Sequence, residues 1–278
     1  MTDLKSLNVS RRGRSSVALA AALLCVMAEF FSAGAQSMVD SLDLTSDEFT
    51  KADMTRADIE ASLGKLAQGE ILDLTGKRLN GLDLAGLDLR RTTLRAARLN
   101  KTNLKGARLD GVVLDSAWAL KSNFEGASFV GASLFQTQMM DSKFDGADFS
   151  KAMVGADMSR GSLVNAKFDG AKLAPDLTNQ SMGLMRGVLK SATLDGASFK
   201  GADLTRSSFD FASLKNANFE GANLTGAELV GADLSGANIA GAILNGADVD
   251  STKLLALTGK DTAVGMNNVK NIDKAIVD

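Results

Sequence analysis

Ala222-Asn223-Leu224-Thr225-Gly226-Ala227-Glu228-Leu229-Val230-Gly231-Ala232-Asp233-Leu234-Ser235-Gly236 writes one five-residue unit three times: a small residue, a polar one, a large apolar centre, a variable residue and a glycine. Downstream the centres continue at Ile239, Leu244 and Val249, and upstream the same phase runs back through Phe219, Leu214, Phe209, Leu204, Phe199 and Leu194 to Leu189. An earlier run starts at Leu74 and reaches Leu114 in steps of five. Ala119 interrupts it, and Phe124, Phe129, Leu134, Met139, Phe144, Phe149 and Val154 resume it. One residue is then missing, so the centres shift to Met158, Leu163, Phe168 and Leu173.

A five-residue period restricts the backbone. A helix turns about 100° per residue, so this period drifts around its axis and builds no apolar stripe. A plain strand alternates every two residues and cannot hold a phase of five. The small residue and the centre are two apart, so in extended chain they share a face and the polar residue between them points out. The remaining two residues must turn the chain, and glycine there suits a turn with positive φ of the type II kind. Short sides joined by corners make a coil, and coils of equal perimeter stack at about 4.8 Å with strand-like bonding. A unit this small is stabilised by its neighbours in the stack.

The units Ala202-Asp203-Leu204-Thr205, Ala222-Asn223-Leu224-Thr225-Gly226 and Ala232-Asp233-Leu234-Ser235-Gly236 resemble the pentapeptide-repeat family, and the resemblance covers residues 72–254. It implies an all-β fold: a right-handed quadrilateral β-helix with four units per coil, about nine coils and a rod about 45 Å long at the usual spacing. Short terminal capping helices are expected. Thr55 and Asp58 start a helical pattern that Ile59, Leu63 and Leu66 continue and Gly69 ends, which places a helix at about 55–68 within an N-terminal segment of residues 36–71. In the tail, residues 255–278, Val269, Ile272 and Ile276 point to a short closing helix or a dimerisation element.

Residues 1–35 have the layout of a secretory signal: Lys5, Arg11, Arg12 and Arg14, then the apolar run Val17 to Ala28, then Ala33-Gly34-Ala35 before Gln36. Cleavage after Ala35 would leave Gln36 as the N-terminus and place the protein in the periplasm or medium. It would also remove Cys25, the one cysteine, so neither disulfides nor thiolate metal sites are expected.

Three irregularities carry open readings. Residues 174–187, with the single proline Pro175, break the motif and are either a binding loop or else a degenerate side of the coil or a tolerated insertion. Val154 to Leu189 spans seven whole units, so the same rod is expected to continue beyond them. Trp118, the one tryptophan, reads as a surface or corner packing residue rather than a ligand platform. Seven basic residues between Arg90 and Arg108 occur without an acid, but they span about one coil and so form a belt rather than a face. At a pitch of twenty residues, Glu228 and Asp248 share a column.

No catalytic, cofactor-binding or metal constellation is present. The chain has no His, its glycines follow the turn period rather than a phosphate-binding motif, and its carboxylates stand at outward repeat positions. Net charge is −2, and 27 basic against 31 acidic residues remain beyond residue 35, which gives no pull toward nucleic acid. The expectation is a non-enzymatic exported rod, a structural or protein-interaction scaffold in the cell envelope, with an unidentified protein partner, a homodimer or an end-to-end assembly. Two alternatives stand beside it. Resemblance to the quinolone-resistance members of the family implies a DNA-mimicking topoisomerase or gyrase binder. A secreted hydrolase with an unrecognised carboxylate site is the other.

Overall fold

The structure, a computed structural model, describes residues 43–175 and 185–278. The expected signal, with Ala33, Ala35 and Gln36, lies outside the described residues. Residues Thr45–Asp278 form one compact unit.

In that unit the sides of each coil pair in parallel with the sides of the next, mostly at a separation of twenty residues. Four columns result. Face A carries Arg78, Arg98, Trp118, Gln138, Asp157, Val188, Ser208, Glu228, Asp248 and Lys270; face B begins at Asp83, face C at Asp88 and face D at Asp73. Each side makes two ladder bonds, as where Leu99 N–H donates to Trp118 O at 2.6 Å and Trp118 N–H to Ala97 O at 2.9 Å. The corner is closed by a bond of the type Ala97 N–H to Leu94 O, 3.0 Å. Buried main-chain polar groups thus find partners within the coil or its neighbours.

The repeat letters have separable jobs. Centres and small residues fill the interior: Leu99, Phe129, Ala132 and Leu134 are all completely buried. On face C, Phe129, Phe149, Phe168, Phe199 and Phe219 stack as parallel rings 4.6, 4.8, 5.0 and 5.1 Å apart. The outward polar residue also holds its corner: Asp203 Oδ1 accepts from Thr205 N–H and Oγ1, and Asn223 Oδ1 does the same with Thr225. Glycine supplies the positive φ, +65° at Gly226. Where the centre fails at Ala119, the next two coils put Met139 and Met158 in that column, unbranched side chains that fill irregular space.

The two phase breaks fall at the same corner, between faces D and A, in successive coils. Gln138 pairs with Asp157 after 19 residues and Asp157 with Val188 after 31. Counting in fives puts seven units between Val154 and Leu189, but the chain winds only five sides there, through 157, 162, 167, 172 and 188. The ladder decides this: a coil off register would leave its N–H and C=O groups unpaired, so the surplus contributes no side to it.

At the start, α1 (Asp47–Thr50) and α2 (Arg56–Gly64) precede the first coil. Thr55 and Asp58 form a reciprocal capping box, and Ile59 is fully buried against the first coil's leucines. Hydrogen bonding from Thr55 holds the Asp58 carboxyl below its ordinary range. The helix stops at Gly64, earlier than the expected 68. Ala67 and Glu70 instead form a turn of their own, closed by Ala67 N–H to Glu70 Oε2, with Gly69 at φ +84°.

At the other end the expected closing helix does not form. Thr258, Val264, Lys270 and Ile276 pair with Asn238, Ile243, Asp248 and Lys253, separations of 20, 21, 22 and 23 residues. The tail is a further coil whose sides lengthen by one residue each, with 3-10 turns at Met266–Asn268 and Ile272–Lys274 taking up the excess. Val269 packs inward beside the face A bridge residue Lys270, and Ile272 starts a 3-10 turn at the next corner; neither is in an α-helix.

Candidate interaction surface

Charges on the faces are paired vertically. Lys105 meets Glu125 at 2.9 Å, Lys200 meets Glu220 at 2.9 Å, and Lys190 meets Asp210 at 3.0 Å, each twenty residues apart. The basic belt is largely engaged too. Arg90 and Arg108 share Asp88, Arg95 faces Asp115, Arg98 holds Glu48, and Arg91 donates to the carbonyls of Glu70 and Ala67. The Arg90 hydrogen bond, chiefly, holds the Asp88 carboxyl at about 2. Glu228 and Asp248 do share a column, but Arg186 makes two 2.7 Å bonds to Glu228. Among the described residues no three His, Cys, Asp or Glu are placed to hold a metal, and no helix is long and apolar enough to cross a membrane.

The surface departs from this pattern on face D. There the insertion leaves the rod after Leu173 and returns before Val188, and a groove of about 500 Å³ opens beside it. Met153, Phe135, Pro175 and Met185 give the groove an apolar lining, while Asp115, Lys172 and Asp203 stand around it. Met153 is 54% exposed. Asp115 is committed to the rod, accepting from Ser133 Oγ at 2.6 Å and from Phe135 N–H at 3.2 Å. Lys172 forms no ion pair among the described residues. Gly155, at the shortened corner, has no side chain where a Cβ would lie 3.4 Å from the Phe135 ring and 3.8 Å from Met185 O. The missing residue and the missing side chain leave a recess beside Met185, where the chain rejoins the rod. Arg186 latches that return on face A and also donates to Arg206 O.

A second feature escapes a reading of the sequence. Phe211 stands at a corner position that is glycine in Gly81 and Gly231, has φ +59°, and is 67% exposed. Its ring lies where a Cβ on Gly231 would come within 2.7 Å of it. A bulky residue in that conformation is uncommon. A Phe in a column otherwise held by glycine and polar residues is the available signal.

The model of pentapeptide repeats, eight copies, matches residues 78–115, 120–153, 188–221 and 217–254. The chain belongs to the pentapeptide-repeat family. The unmatched stretches are informative: 116–119 holds Trp118 and the failed centre, and 154–187 holds both phase breaks. As a family member the rod is a right-handed quadrilateral β-helix. Among solved structures it is similar to QnrB1, a plasmid-mediated fluoroquinolone resistance protein, at 16% identity over 75% of this chain and 92% of that one, with TM-score 0.50. That likeness shows the fold alone. It is also similar to HetL, a pentapeptide-repeat protein involved in heterocyst differentiation regulation from the cyanobacterium Nostoc, at 27% identity over 80% and 99%, TM-score 0.30. A comparison with curated proteins finds no match.

Proposed function

We propose that the protein is a non-enzymatic, exported rod that acts as a protein-interaction scaffold in the cell envelope, with the face D groove as its recognition surface. The observation that carries this reading is the pair of phase breaks at one corner. The recess at Gly155 and the described residues that flank it, Pro175 and Met185, are added to a rod whose Phe stack passes them at unchanged spacing, 4.8 and 5.0 Å. They build a surface, and the interior does not need them. Pentapeptide-repeat proteins are typically structural or interaction proteins. The vertical pairing of acids with bases speaks against a DNA-mimicking surface, which needs unneutralised acidic columns. The basic n-region, the apolar run and Ala33-Gly34-Ala35 support export.

Mass and N-terminal sequence of the protein from fractionated cells test the export half. A chain starting at Gln36 outside the cytoplasm is expected, and an intact chain starting at Met1 in the cytosol would overturn it. A photo-crosslinker tests the scaffold half when placed at Met153 and, separately, at Ser213 on face B. Partner adducts are expected at Met153 and should vanish when residues 176–184 are removed; equal labelling at both positions would sink the groove assignment.

A further inference from the structure

The segment Ser46–Asp53 does more than close the first coil. Closure is provided by Ala52, which bridges antiparallel to Leu79, by the exchange between Asp53 and Arg78, and by buried Ile59. Glu48 and Phe49 reach further, to the second and third coils of face A. There the ladder is already complete: Arg98 N–H donates to Lys77 O and Trp118 N–H to Ala97 O. Capping the edge does not require them.

What they meet is a compact recognition surface. The Arg98 guanidinium holds Glu48 Oε1 at 2.6 Å and lies over both rings, 5.4 Å from the Phe49 centroid and 5.6 Å from that of Trp118. Phe49 is buried edge-on against Trp118, with centroids 5.4 Å apart. Asn80 Nδ2 grips the segment's backbone at Glu48 O, 3.0 Å, and Lys51 O, 2.8 Å. Beyond the first coil the attachment is made by side chains only, and α1 is a single turn with no side-chain cap. A cation over two aromatic rings, beside an amide that reads main-chain carbonyls, fits an acidic residue followed by phenylalanine.

We propose that Asn80, Arg98 and Trp118 form a docking site for an acidic-Phe segment of a partner protein, kept closed by the chain's own Glu48-Phe49. A tethered occupant competes at an effective concentration of about millimolar, so opening the site should raise affinity for an outside peptide by roughly ten-fold or more. The inference rests on the scaffold reading only in that its occupant is a protein; its failure would leave the face D groove untouched.

The full chain is its own reporter, since Trp118 is the one tryptophan. The probe is a synthetic peptide with the sequence of Thr45–Asp53, and the control is the same peptide with Ala for Phe. Trp118 is half-buried in the closed protein, and in the Phe49→Ala protein its emission should become markedly more quenchable by iodide. The probe should restore protection, the control should not, and adding Arg98→Gln should weaken binding at least ten-fold. Glu48→Gln, a milder change, should open the site partway if Phe49→Ala fails to fold. The proposal is overturned if the opened, cooperatively folding protein ignores the probe, or if wild type binds it as tightly as the variant. It is also overturned if wild type is a dimer that Phe49→Ala dissolves, since the occupant would then be a second copy of the segment.

Discussion

The 19-residue coil and the 31-residue coil are neighbours, and both carry their irregularity at the D-to-A corner. One is a residue short and the other eleven long, yet Asp157 pairs in parallel with Gln138 below and Val188 above. The short coil is accommodated by tightening. Gly161 stands in the inward column that holds Ala212 and Ala232 elsewhere, and a Cβ there would lie 2.9 Å from Met158 O and 3.1 Å from Ser142 O. In the long coil the surplus adds no side to the ladder: pairing passes from Lys172 to Val188, and Gly187 N–H donates to Leu173 O at 2.8 Å. In the body of the rod, then, a one-residue deficit is absorbed within the coil, while the larger surplus adds no side to it.

The largest test of that comparison is Phe168→Ala, in the coil between the two breaks. If that coil is as well packed as its ring spacing indicates, chemical denaturation should show a loss of about 3–5 kcal/mol, the same as for Phe219→Ala in a regular coil. A much smaller loss at Phe168 would mean the breaks loosen the core. Gly161→Ala should cost about 1–3 kcal/mol by forcing main-chain atoms apart, whereas Lys143→Ala, at an exposed position on the outside of face B, should be nearly silent. Equal tolerance at both sites in thermal melts would show that the short coil is not tight. Arg186→Ala should cost about 1 kcal/mol or less but speed proteolysis within the insertion; unchanged cleavage would remove the latch. Replacing residues 176–184 by two glycines should change stability by less than about 1 kcal/mol, because loop closure depends weakly on length.

The smallest effect is acid sensitivity. The Asp141 carboxyl is held below its ordinary range, chiefly by the hydrogen bond from Arg160 across the 19-residue coil, and Asp88 is held at about 2 by Arg90. A depressed folded-state pKa adds stability above the unfolded value, about 3.9, that is lost as pH falls through the folded value. The melting temperature should therefore drop between about pH 4 and pH 2. Asp141→Asn should flatten that drop slightly; a steeper drop in the variant would contradict the assignment.

Period, centre and small residue are legible in the sequence because each acts on its own coil: Leu99, Phe129 and Ala132 lie where five-residue counting puts them. Vertical charge pairing is only half legible. A pitch of twenty gives Lys105–Glu125, but the belt looks unpaired in sequence because Arg98's partner, Glu48, lies fifty residues away. The expelled insertion is illegible for a simple reason. Two errors, minus one and plus eleven, add to two whole units, so counting across them looks undisturbed. The tail escapes likewise, since its sides of six residues leave the five-residue period. The candidate surface is visible in outline, at 174–187, but Gly155 and Met153 become part of it only once the corner is built.

Those ten surplus residues bear on heredity as well as on shape. In a four-sided coil, five inserted residues rotate everything downstream by a quarter turn, and ten rotate it by half. Had the surplus been wound, Val188 and all that follows would have moved to the opposite side of the rod, taking Glu228 off the face of Trp118 and Gln138 and Phe211 to another corner. A duplication of twenty residues lengthens such a rod while preserving every face. A duplication of five or ten rewrites its surface in one event, unless a corner casts the excess out.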